Sequence, residues 1–257
     1  MCGRQQVVVA EARRIDGMII NSSDIGWHAI IDSARIFITS LDGIMFFSKD
    51  DPVDLQTLVV QVVQKVAYHN VDAGPISDIA EWCLSRWLRI LQYFPRDATA
   101  LRGAGQWWLS KAQPSLARIH AIDGSSSSSE GSLKRPGSDA ITTHNCQEEG
   151  DTTQANSEAE MRLHSPDYVE ARGILLPAVE YLRRAVDEAQ NQEALGGDLL
   201  ITTAEAYMSL GNVSYSGVNE EYFRQAILYL RRASDVSGFP LPSHLQRYLE
   251  DYGRFVD

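Results

Sequence analysis

The segment Tyr-Leu-Arg-Arg-Ala occurs twice, at Tyr181–Ala185 and at Tyr229–Ala233. Such self-similarity marks a fold assembled from stacked copies of one unit, because a single copy cannot bury its own apolar face. Both copies lie in amphipathic stretches, YVEARGILLPAVEYLRRAVDEAQ and EEYFRQAILYLRRASDV. In these, apolar side chains return at the spacing of a helix, so the repeated unit is helical.

The same texture covers most of the chain. Asp51-Pro52 opens VDLQTLVVQVVQKVAYHN with Pro at the first helical position. Its Leu55, Leu58, Val59, Val62, Val63 and Val66 form a core-facing stripe. Ser77 caps a second helix that stops at Pro95, and a third is expected from Ala98 to about Ala112, before Pro114, with a new helix opening at Ser115. After Pro166 helical pattern returns, with Pro177 marking either a kink or a fresh start. DLLITTAEAYMSLGN is closed by Gly211, and LPSHLQRYLEDYGRFVD reads as a final amphipathic helix.

Two regions differ. In residues 1–50, QVVVAEARRIDGMIIN and RIFITSLDGIMFF place β-prone residues on both sides of an Asp-Gly pair, which predicts short β-hairpins. Between them Trp27, Ile30, Ile31 and Ala34 fall at helical spacing. Residues 124–165 are rich in Ser, Thr, Gly and acidic groups and nearly free of large apolar side chains, which predicts a disordered insertion. Ser127 before Glu130 and Ser157 before Glu160 are acidic-directed phosphorylation contexts within it. The expected organisation is an N-terminal segment 1–50, helical residues 51–123, the insertion 124–165, and helical residues 166–257.

Small residues are needed where two helices cross closely, with bulky ones filling the holes between. Leu101, Ala104-Gly105 and Trp108 meet that need on one face, with Ala117 and Ala121 expected on the following helix. Cys83, Trp87, Ile90 and Pro95 precede them as a second-helix pattern; Ala178, Leu182 and Ala185 repeat it. Leu200, Ala204, Tyr207 and Gly211 then match a first helix, and Ala226, Leu230 and Ala233 its partner. Over residues 77–240 this succession resembles the tetratricopeptide repeat (TPR) family. The resemblance implies an all-α fold of antiparallel helix pairs, a short irregular α-solenoid. The turn between Gly211 and Ala226 is longer than the family's, and residues 1–70 show no repeat.

The resemblance also implies a concave groove, made mostly by first helices, that holds a segment of another protein. Here its face would carry Arg102, Gln106 and Leu109 from one unit, and Asp198, Ile201, Thr202 and Glu205 from another. Family members that clamp the C-terminal carboxylate of chaperones place Lys and Asn at such positions; this chain does not. Arg183-Arg184 and Arg231-Arg232 fall at equivalent places in two units, either as basic points for an acidic partner or as ordinary surface arginines. Trp82 and Trp107 lie off the repeat face, either packed against the N-terminal region or with one of them a candidate partner anchor.

Nothing in the sequence assembles chemistry. The six histidines show no metal-ligand spacing, and His144 to Glu149 lie in the segment expected to be disordered. Gly103 and Gly105 have no preceding strand and no third glycine, so a helix crossing explains them better than a phosphate loop. Asp187, Glu188 and Glu193 read as a solvated helix end. Neither a catalytic residue, a metal nor a cofactor is expected. A net charge of -11 disfavours nucleic acid, which is gripped mainly through Lys and Arg. No apolar run is long enough to cross a bilayer. Cys2, Cys83 and Cys146 are too scattered for a disulfide framework, with Cys83 expected buried and Cys146 exposed. Export and myristoylation signals are missing, so the sequons at Asn21 and Asn212 carry little weight, and an intracellular location, cytoplasmic or nuclear, is expected. The leading expectation is a non-enzymatic adaptor, assembly factor or complex subunit that binds another protein. The alternatives are an all-α enzyme or pathway accessory protein with a pocket between helices, and a structural oligomer.

Overall fold

The computed structural model describes residues 3–70, 74–129 and 161–256, and every regular element among them is helical. In chain order these are α1 (Gly3–Ile20), a single turn α2 (Ser22–Ile25), α3 (Trp27–Gly43), α4 (Val53–Ala67), α5 (Ser77–Tyr93) and α6 (Ala98–Ser129). After the insertion come α7 (Pro166–Asn191), α8 (Gly197–Asn212), α9 (Ser216–Ser234) and α10 (Ser243–Tyr252), then a 3-10 turn (Gly253–Phe255). No helix among the described residues is long and apolar enough to cross a membrane.

The hairpins expected in residues 1–50 are not there. Asp16-Gly17 lies inside α1, and Asp42-Gly43 ends α3. Val8, Ala12 and Ile15 recur at helical spacing on the buried face of α1, and Ile30, Ala34, Phe37 and Leu41 on that of α3. That period outweighs the local β-preference of the Val and Ile runs, because strand propensity is largely a packing preference and here the packing is helical. Lys65 Nζ of α4 donates to Asp16 Oδ1 at 2.7 Å, and Arg4 of α1 bonds both oxygens of the buried Asp51 carboxylate at 3.1 and 3.3 Å. A methyl group at position 17 would meet nothing within 4 Å. Gly17→Ala is therefore expected to stabilise the protein by about 0.5–1 kcal/mol, measured by urea unfolding. A hairpin glycine at positive φ would give a loss instead.

From α4 to α9, consecutive helices pack antiparallel; for α7 and α8 this is shown by Arg172, near the start of α7, donating to Val213 O, just past the end of α8. Trp87 of α5 reaches back to Gln64 of α4, and α5 meets α6 through Ala80–Trp107 and Trp87–Gly103 contacts. α6 meets α7 through Arg96–Glu188, Gly105–Leu182 and Arg118–Asp167, partner numbers falling as α6 numbers rise. α8 and α9 meet at Tyr207–Tyr229 and Gly211–Phe223. The pairs are α4/α5, α6/α7 and α8/α9, so α4, α6 and α8 run in one direction.

The chain around Pro114 differs from the sequence expectation. α6 does not end before Pro114 but continues as one helix, so Ala117 is not on a second helix and is exposed. An interior proline costs about 3 kcal/mol. Offsetting it, Ala112 and Ile119 are buried in the core shared with Tyr168, Ala171 and Leu175 of α7. Arg118 bonds Asp167 at 2.8 Å and Glu170 at 2.7 Å, and Ser115 donates to Glu170 at 3.0 Å. The partner of α6 is thus α7, which carries Ala178, Leu182 and Ala185 and runs unbroken through Pro177. Residues 124–129 continue α6, and residues 161–165 lead into α7. Cys146, Ser157 and the rest of 130–160 lie outside the described residues.

Two apolar clusters share α6. Ala100, Ala104 and Trp107 face the cluster of α1, α3, α4 and α5, while Leu101, Ala112 and Ile119 face that of α7 to α10. The repeated pentapeptide has a common role. Leu182 and Ala185 of α7, and Leu230 and Ala233 of α9, are wholly buried. The second arginine of each copy reaches the end of an earlier helix: Arg184 to Pro95 O, just past α5, at 3.5 Å, and Arg232 to Gln190 Oε1, in the last turn of α7, at 2.9 Å. Arg183 pairs with Glu180 and Asp187, and Arg231 donates to Gly253 O. These arginines bind the fold to itself.

Candidate functional site: a cleft across α4, α6 and α8

The three parallel helices leave a cleft of about 600 Å³ on one face of the array. Along α4 and its C-terminal cap the lining residues are Gln61, Gln64, Lys65 and Tyr68, spaced as one helical stripe opposite the buried valines. In α6 they are Arg102, Gly103, Gln106, Leu109 and Ser110, and in α8 Thr202 and Glu205. Trp87 of α5 reaches the cleft from below while remaining wholly buried.

The floor is held by hydrogen bonds that join three helices through one amide. Gln64 Nε2 donates to Gly103 O at 3.2 Å, and Gln64 Oε1 accepts from Trp87 Nε1 at 2.6 Å. Tyr68 OH donates to Trp107 O at 3.4 Å. The offset of 39 residues is the same for both α4–α6 bonds, which fixes their parallel register. Gly103 is required here: a Cβ at that position would collide with the Trp87 indole. The Tyr68 hydroxyl and the Cys83 thiol are both pushed up in pKa by burial, so neither ionises near neutral pH.

Among the described residues, Gln61, Arg102 and Gln106 make no hydrogen bond or ion pair. Thr202 donates to its own helix at Asp198 O, 2.8 Å away. Burial pushes the Glu205 carboxyl above its ordinary value, partly opposed by His244. The folded state therefore holds that proton better than the unfolded chain. The resulting stabilisation is fullest below the ordinary carboxylate range and is lost as pH rises through the folded value. Glu205→Gln is expected to raise the melting temperature at about pH 7 and to give no gain at about pH 4, checked by thermal melts at both.

Of the residues expected to form the groove, Arg102, Gln106, Leu109, Thr202 and Glu205 come together in this one cleft. Ile201 is buried in the core at 8% exposure, one position off the lining face, and Asp198 is exposed at the start of α8 outside the cleft. The α4 residues were missed because α4 shows no repeat pattern; the signal available was their polar stripe at 61, 64, 65 and 68. Cys83, Trp87 and Ile90 of α5, Leu101 and Ala104 of α6, Ala178 of α7, Ala204 of α8 and Ala226 of α9 are wholly buried, with Tyr207 at 7% exposure. Gly105 is buried at the α6–α7 crossing. Trp108 is only half-buried, and the core tryptophan of α6 is its neighbour Trp107, which donates to Ala80 O at 2.6 Å. Trp82 is also buried, bonded to Asp42, so neither off-face tryptophan lines the cleft. No group of three His, Cys, Asp or Glu side chains among the described residues is placed to hold a metal ion.

No protein-family model, no curated protein and no solved structure matches this chain.

Proposed function

We propose that this chain is a TPR-like interaction module that binds a segment of another protein along the cleft across α4, α6 and α8. The single observation that carries the reading is the pair Arg102 and Gln106, side by side in that cleft and unengaged among the described residues. These half-exposed polar groups are met by water in the free protein, and a row of them over a hydrogen-bonded floor is placed to exchange that water for an external ligand. Three antiparallel pairs with their first helices aligned are the architecture that the family resemblance implies. Helices and not loops carry the row, which fixes the spacing of its side chains.

The test is affinity capture of the full chain from its native extract, with bound proteins identified by mass spectrometry. A stoichiometric partner retained by the wild type and lost on Arg102→Glu with Gln106→Ala, at unchanged melting temperature, supports the reading. A partner held equally by that double variant would place binding elsewhere on the molecule.

A further inference from the structure

The free charges of the cleft specify its occupant further, on the basis that the cleft is the binding site. Lys65, Arg102 and Glu205 line it, but Lys65 Nζ is bonded to Asp16 at 2.7 Å. That leaves Arg102 as the cation without an internal partner and Glu205 as a carboxyl without a hydrogen bond among the described residues. Gln61 and Gln106 add two free primary amides, each able to donate and accept. We infer that the cleft takes an extended peptide segment whose internal Asp or Glu side chain pairs with Arg102, its main chain running along Gln61 and Gln106.

Each part of this follows from the groups present. A guanidinium presents a planar fork that matches a carboxylate, and one free guanidinium balances one monoanion. A phosphate, nearly dianionic at neutral pH, would need more donors than Arg102 supplies. A chain-terminal carboxylate calls for several donors converging on one point, whereas here the donors are strung along two helices. The two amides of such a row complement the N–H and C=O groups of an extended main chain, which α-helical ligands keep for themselves. Glu205 then favours a neutral or basic residue at the α8 end of the segment.

The test uses the full chain and a positional library of fluorescein-labelled short peptides, acetylated and amidated, read by fluorescence anisotropy. The expected result is selection of Asp or Glu at one position. Arg102→Ala should weaken the selected peptides roughly tenfold to a hundredfold, the range for a hydrogen bond to a charged group. Arg102→Glu should reverse the preference to Lys or Arg. Free-acid and phosphoserine versions of the same peptides form the other arms. Selection that ignores Asp and Glu, or is unchanged by Arg102→Ala, overturns the inference while Gln106→Arg still abolishes binding and so keeps the cleft as the site. Tighter binding of free-acid termini without an internal acidic preference, or of phosphoserine, also overturns it. Binding indifferent to every cleft variant, or no binding at all, overturns both the inference and the interaction reading beneath it.

Discussion

Trp87→Ala is expected to lower the stability of the fold by about 3–5 kcal/mol, a large share of what a domain of this kind possesses. Trp87 is wholly buried at the junction of α4, α5 and α6. Its indole lies on Gly103, and its Nε1 gives Gln64 Oε1 a hydrogen-bond donor at 2.6 Å. Removing the ring leaves a cavity beside a glycine that has no side chain to fill it, and leaves Gln64 Oε1 without that donor. Trp87→Phe should cost less, because most of the volume stays and only the hydrogen bond goes. Urea titrations of the three proteins would read both differences, provided the slope of each transition is unchanged.

Gly105→Val is expected to destabilise by about 1–3 kcal/mol or more, against the direction that helix propensity alone gives. A Cβ at position 105 would lie 2.6 Å from Leu182 Cγ and 3.1 Å from the Leu182 backbone nitrogen. The side-chain contact could be relieved by a rotation; the backbone one requires α6 and α7 to move apart. That separation would open the core around Leu182, which is wholly buried. Valine gains only a few tenths of a kcal/mol over glycine in a helix interior, so crowding decides the sign. The result sits opposite Gly17→Ala, where the added methyl group meets nothing.

The all-helical class was legible in the 3.6-residue period of the apolar side chains, and the crossing positions in the glycines and alanines of α5 to α9. Gly103 and Gly105 each turn out to face a neighbouring helix, Trp87 of α5 for the first and Leu182 of α7 for the second. What the sequence hid is what depends on distant contacts. Pro114 carries a local stop signal, and only contacts made across an insertion show why α6 continues: burial of Ala112 and Ile119 against α7, and the bonds from Ser115 and Arg118 to Asp167 and Glu170. The Asp-Gly pairs of the first fifty residues are turn signals in isolation; packing of α1 against α4 overrides the first of them. The cleft was half legible. Its α6 and α8 residues follow from the register that the family resemblance implies, but Gln61, Gln64, Lys65 and Tyr68 join it through parallel packing of α4 on α6, a register recorded in no local pattern.

The most direct measurement of the central claim is site-specific photo-crosslinking in native extract. A photoreactive side chain is placed either at position 106, in the cleft, or at position 88 on α5, where Leu88 is 44% exposed and outside the cleft lining. The cleft reading predicts one dominant adduct from position 106, lost on Arg102→Glu, and none of that mass from position 88. An adduct formed from position 88 and not from position 106, or one from 106 that ignores Arg102, would contradict it.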